Sequence, residues 1–132
     1  MTLSHLIYAS QPFGFDDAML AGILLQARRN NARDGITGAL ICRHDIYLQL
    51  LEGPAAAIEA TFARIVPDDR HLEPVLLWSG AVEARLFPKW AMRDDPARSW
   101  LWSAAEVADG AATSATPEAL RDVFAKVAAE AS

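Results

Sequence analysis

The stretch "DIYLQLLEG" (residues 45–53) decides how the chain is folded. Tyr47, Leu48, Leu50 and Leu51 make a short apolar run of the kind that becomes a largely buried strand. Just upstream, "ITGALIC" (36–42) is a second such run, and Arg43-His44-Asp45 between them is short enough for the two to pair as a β-hairpin. One residue in the run is out of place. Gln49 puts a carboxamide among leucines, and a buried amide must find partners or cost about 1–3 kcal/mol. That cost marks Gln49 as a candidate for function.

Working outward, "HLIYAS" (5–10) reads as a first strand. "FDDAMLAGILLQARRNN" (15–31) reads as a helix with Asp16 as N-cap and Leu20, Ile23, Leu24 and Ala27 on one face, stopped by Asp34-Gly35. Pro54 suits a helix start, and residues 55–66 put Ile58, Phe62 and Ile65 at helical spacing. After the polar loop "DDRH" (68–71) come two more expected strands, "EPVLLWS" (73–79) and "EARLFPKW" (83–90). The order β-α-β-β-α-β-β predicts an α+β, ferredoxin-like sheet with two helices on one face. Residues 104–116 are rich in Ala, Gly, Ser and Thr and read as a linker or weak helix. Thr116-Pro117 then opens a helix whose Leu120, Val123, Phe124 and Val127 fall at i, i+3, i+4, i+7. Because two helices cover only one face of a sheet, this C-terminal helix is expected on the other face, or against a second subunit.

Composition narrows the function. The chain of 132 residues can bury a core without staples, and its single cysteine, Cys42, cannot form an internal disulfide. With no long apolar run and no signal-like N-terminus, the expectation is a cytoplasmic protein with no membrane partner. A net charge of −5 disfavours nucleic acid. His5, His44 and His71 stand far apart with no ligand spacing, so no metal site is expected. Cys42 and His44 at i, i+2 read as a buried thiol and a hairpin histidine rather than a nucleophile and base. No Gly-rich phosphate loop is present, and Gly35 to Gly38 serves a helix-to-strand turn.

What remains converges on one place. The expected fold brings Tyr8 and Ser10 of the first strand, Gln49 of the third and Asn31 at the end of the first helix to a pocket between helices and sheet, with Ile23 as a wall. A phenol and two amides, with no carboxylate pair and no nucleophile, suit the holding of a polar heterocycle better than hydrolysis.

"LIYAS", "ARRNNARDGITGALI", "YLQLLEGP", "DDRH" and "RLFPKWAM" together resemble, in order and spacing, the blocks of the BLUF family, the blue-light sensors that use FAD. The resemblance spans Leu3 to Met92. It implies FAD bound non-covalently between the two helices, with Tyr8 as the photoactive tyrosine, Gln49 as the glutamine bridging it to the flavin, and Asn31 bonding the flavin ring. Trp90 and Met92 match the switchable tryptophan and methionine of the last strand. Arg29, Asn30, Asp69, Arg70 and His71 match positions that often contact the ring edge, ribityl chain or phosphates. It also implies a photoreceptor rather than an enzyme, a homo-oligomer, and a downstream effector protein. Residues 1–95 form the flavin-binding domain, and 96–132 a linker and helix within the same globular unit. Two alternatives stay open: an acylphosphatase-like phosphohydrolase using Arg29 and Asn31, and a flavin-free interaction module.

Overall fold

The hairpin expected from the sequence lies within a five-stranded sheet in the computed structural model, which describes residues 3–12, 17–68, 71–96 and 101–131. The elements in chain order are β1 (Leu3–Pro12), α1 (Asp17–Asp34), β2 (Thr37–Arg43), β3 (Ile46–Pro54), α2 (Ala55–Ile65), β4 (His71–Ala81), β5 (Arg93–Pro96), α3 (Ala104–Ala108), α4 (Ala111–Ser114) and α5 (Pro117–Ala131). The strand order is β4-β1-β3-β2-β5. The first four are antiparallel neighbours and β5 runs parallel to β2, which is the ferredoxin-like arrangement with an added edge. Asp16, expected as the N-cap of α1, lies outside the described residues.

Period-two alternation divides the sheet between two cores. Ile7, Ala9, Ala39, Ile41, Ile46, Leu48 and Leu50 face one side, and Leu6, Tyr8, Leu40, Cys42, Tyr47 and Leu51 the other. On the second side α1 and α2 close the core with Leu24 and Ile58. On the first, Leu120, Val123, Phe124 and Val127 of α5 join the buried strand residues, so the C-terminal helix covers the face opposite the two helices, as its apolar stripe predicts. Thr116 caps α5, its hydroxyl accepting from the Ala119 amide at 3.1 Å. The hairpin turn is tied to the tail as well, for Arg43 pairs with Asp45 and donates to the carbonyl of Trp102 at 2.8 Å.

Of the linker or weak helix expected over residues 104–116, the helical arm is what forms: α3 and α4 lie there, and α3 carries a reciprocal capping box between Ser103 and Glu106. One detail of the expected fold is corrected. Residues 83–90 are not a strand, and the last strand starts later, at Arg93. The physical reason is local. Pro88 has no N–H to give a ladder, and the amides of Leu86 and Phe87 donate to the carboxylate of Glu52, at 2.6 and 2.8 Å, instead of to a neighbouring strand. Trp90 and Met92 therefore precede β5 rather than lying in it. Gly38 locks this segment from the sheet side: its amide donates to the Trp90 carbonyl at 3.1 Å, and a Cβ there would fall 2.0 Å from the carbonyl oxygen of Leu50.

The placement of α5 yields a direct test. Phe124→Ala removes a fully buried ring and is expected to lower unfolding free energy by about 3–5 kcal/mol. Leu25→Ala, at a side chain 62 % exposed on α1, should change it by less than about 0.5 kcal/mol. Equal effects in a denaturant titration would show that α5 does not cover the sheet.

Candidate functional site

Strand register sets the centre of the site. Tyr8 of β1 stands directly opposite Gln49 of β3, which in turn stands opposite Leu40 of β2, so the three form one rung across the helix-covered face. Cross-strand neighbours on one face are close enough to bond, and here the Tyr8 hydroxyl donates to Gln49 Oε1. The other end of the same amide, Nε2, donates to the thioether Sδ of Met92 at 3.2 Å. All three side chains are buried. The odd carboxamide is thus satisfied at both ends, by a hydroxyl on one side and a sulfur on the other.

Around this chain the two helices open a cleft with about 770 Å³ of space not filled by atoms, its open mouth included. Each helix contributes one face at i, i+3, i+4, i+7: Ile23, Gln26, Ala27 and Asn30 from α1, and Thr61, Arg64, Ile65 and Asp68 from α2 and the turn after it. Asn31, buried at the end of α1, lines the cleft and donates from Nδ2 to the carbonyl of Ala91 at 2.8 Å. His71 closes one end. Its Nε2 lies 2.7 Å from the Ile65 carbonyl, which can only accept, so that nitrogen carries the proton; in the neutral ring Nδ1 then accepts from the Ser10 hydroxyl at 2.7 Å. Ser10 stands behind His71 and orients it.

Electrostatics keep Tyr8 a hydroxyl. Burial pushes its phenol far above the ordinary value, and the nearby charges of Asp68 and Tyr47 push in the same direction. The ring packs on Phe62 with centroids 5.3 Å apart. The rest of the lining combines the amides of Gln26, Asn30 and Asn31 with Thr61, the carboxyl of Asp68 and apolar walls at Ile23, Leu40, Leu51 and Ile65, and it presents donors and acceptors side by side. Arg64 adds a half-exposed cation at the rim. This donor set fits a flat heterocycle edged with carbonyls and ring nitrogens, with an anionic group near Arg64.

Of the residues singled out in the sequence, the structure brings Tyr8, Ile23, Asn30, Asn31, Gln49 and His71 to the cleft, with Ser10 and Met92 bonded to its members. Arg29 is exposed on α1 and does not line it, which also separates Arg29 from buried Asn31 and removes the pair that a phosphohydrolase would need. Trp90 is 41 % exposed, so the thioether of Met92 and not the indole occupies the place beside Gln49. Asp69 and Arg70 lie outside the described residues. Sequence reading missed Gln26, Thr61, Arg64 and Asp68. The available signal is helical spacing: Thr61 and Arg64 stand beside the apolar stripe of Ile58, Phe62 and Ile65 on α2. Cys42 is buried and absent from the lining, and His44 is exposed. Among the described residues there is no cluster of His, Cys, Asp and Glu able to hold a metal, and no helix long and apolar enough to cross a membrane.

Comparison with known proteins agrees with this geometry. The family model for BLUF, described as sensors of blue-light using FAD, matches residues 3–93. A photoactivated adenylate cyclase subunit beta from Euglena gracilis is 32% identical over 92 residues, covering 69% of this chain and 10% of that protein. The chain therefore spans about a tenth of the length of the curated relatives it matches. Among solved structures, "BlrB - a BLUF protein, dark state structure" superposes with a TM-score of 0.81 at 29% identity, covering 98% of this chain and 97% of that one. Klebsiella pneumoniae BlrP1 with FMN and cyclic diGMP has a TM-score of 0.66 at 33% identity, over 71% of this chain and 26% of that one.

The raised pKa of Tyr8 has a sign that can be checked. A phenol whose folded pKa lies above its unfolded value stabilises the fold fully below about pH 10, and that contribution is lost as pH rises further. In an ultraviolet titration, folded wild type and Tyr8→Phe should show the same phenolate absorbance up to about pH 11. Extra phenolate from the wild type near pH 10 while it is still folded would contradict the burial of this hydroxyl.

Proposed function

The chain belongs to the BLUF family, sensors of blue light using FAD, and from that premise we propose that it is a blue-light photoreceptor with FAD held non-covalently in the cleft between α1 and α2. The observation that carries the reading is the chain Tyr8 Oη to Gln49 Oε1 and Gln49 Nε2 to Met92 Sδ, buried on the cleft floor. Asn30, Asn31, Gln26 and His71 would hold the ring and its edge, and Arg64 a phosphate; Arg29, Asp69 and Arg70 remain proposed contacts of the ribityl chain or phosphates. When bound, an excited flavin supplies the oxidising power to draw an electron from the Tyr8 phenol.

The chain's own residues then do the following. Tyr8, kept protonated by burial, donates its proton to Gln49 Oε1, so the proton has a direct path to the amide. Gln49 has an acceptor at one end and a donor at the other, and turning or tautomerising it reverses the polarity presented to both neighbours. In the arrangement described here Nε2 faces Met92 and Oε1 faces Tyr8. After reversal an amide oxygen would face the Met92 thioether, which has no proton to offer, so that contact is lost and Met92 is driven to move or to exchange with Trp90. A leucine or a carboxylate at position 49 has two like ends and carries no such signal.

The output passes from Met92 to the tail and onward to an effector. We take residues 1–95 as the flavin-binding part and 96–132 as its output element, acting in a cytoplasmic homo-oligomer or on a separate effector protein. The cyclase named in the relatives lies in protein beyond the tenth that this chain matches, and no enzyme activity is assigned to the sensor itself.

Blue light should shift the oxidised flavin bands of the purified protein slightly to the red, with recovery in darkness and no persistent bleaching of the kind a thiol adduct gives. Gln49→Leu should keep the flavin and abolish the shift. Asn31→Ala should weaken flavin binding by about 1–3 kcal/mol, or roughly fivefold to 150-fold in Kd. A Gln49→Leu protein that still shifts would refute the bridging role, and a colourless wild type after reconstitution with FAD would refute the function.

A further inference from the structure

On the sheet face opposite the cleft, four donors converge on the fully buried carboxylate of Glu52 in β3. His5 Nε2 at 2.8 Å and the Leu86 amide at 2.6 Å reach Oε2; Thr37 Oγ1 at 3.0 Å and the Phe87 amide at 2.8 Å reach Oε1. Arg85 braces the same corner, donating to Thr37 Oγ1 at 2.7 Å and to the Glu52 carbonyl at 3.1 Å. Two of the four donors are the consecutive amides of Leu86 and Phe87 in the segment joining β4 to β5. The side chain of Phe87 is buried in the core shared with α5. Met92, five positions further on, is buried on the cleft face beside Gln49. Residues 86–92 are therefore a short tether from one face of the sheet to the other, and the Trp90 amide shortens it further by donating to the Phe87 carbonyl at 3.2 Å.

We propose that Glu52 is the positioning residue that stiffens this tether, so that a displacement of Met92 at Gln49 reaches Phe87 and the α5 core instead of dissipating in a loose loop. The proposal rests on the photoreceptor reading above. Glu52 touches neither the cleft nor the reacting groups, and none of the catalytic roles proposed for Tyr8 or Gln49 requires it. The chemistry of the site is specific: an ionised carboxylate accepts from all four donors, whereas a glutamine of the same size has one accepting end and turns an N–H₂ toward the other pair of donors. Aspartate, one methylene shorter, cannot reach both amides and the imidazole from the same backbone position.

The test uses the full chain loaded with flavin, with amide hydrogen exchange of residues 120–127 followed in darkness and under blue light. In the wild type, light should change those exchange rates by about fivefold or more, the lower range of a coupling between two sites. Glu52→Gln should keep the red shift of the flavin bands and bring the light-to-dark exchange ratio to about one. A variant that only weakened the fold would speed exchange equally in both conditions and keep the wild-type ratio, and that result overturns the proposal. Should Glu52→Gln fail to fold or to hold flavin, the wild type decides: the Leu86 and Phe87 amide proton resonances should differ between dark and lit states, and unchanged resonances beside a responding tail overturn the proposal. A wild type with a red shift and a silent tail overturns it alone. A wild type with no red shift overturns the photoreceptor reading beneath it.

Discussion

One carboxamide in the middle of an apolar strand is the constraint around which the rest is arranged. Gln49 can be buried only because a phenol across the rung and a thioether beyond it satisfy its two different ends. Leaving either end without a partner in that environment would cost on the order of 1–3 kcal/mol. Tyr8 must therefore be on β1 in register with Gln49, and the segment before β5 must fold back to bring Met92 in. The helices α1 and α2 stand far enough apart to leave the cleft beside this chain.

The sheet then acts as a partition with a different core on each side. Light chemistry is proposed for the cleft face, while the tail packs on the other through Leu120, Val123, Phe124 and Val127. The route proposed above goes around this partition along residues 86–92, whose Leu86 and Phe87 amides are held by Glu52. On that proposal the lost regularity of "EARLFPKW" matters, because the segment can then place Phe87 in one core and Met92 in the other.

Much of this was legible in the residues. The hairpin, both long helices and the apolar stripe of α5 follow from periodicity, and the polar Gln49 was visible as an exception to it. The order of the sequence blocks pointed to the family as well. The end of the fold was harder to read. "EARLFPKW" has the apolar content of a strand, and only the buried carboxylate of Glu52, thirty-odd positions upstream, captures the amides that a strand would have used. A contact between residues so far apart leaves no local signal. The cleft lining from α2 was missed for a different reason. Thr61 and Arg64 are polar residues on a helix and Asp68 lies in the polar loop after it, so by composition they read as solvated, and their place in the lining appears only when α1 is set opposite. The choice between Trp90 and Met92 beside Gln49 was equally beyond the sequence, since both are large apolar side chains two positions apart on the same segment.

The central claim is that the two ends of the Gln49 amide exchange roles when light is absorbed. Light-minus-dark infrared spectra of the flavin-loaded protein, with glutamine carrying a ¹³C label at its side-chain carbonyl, report that event directly. The account predicts a label-sensitive carbonyl band that shifts on illumination, returns in darkness with the visible spectrum, and is absent from Gln49→Leu. A red-shifted flavin spectrum with no label-sensitive change would contradict it.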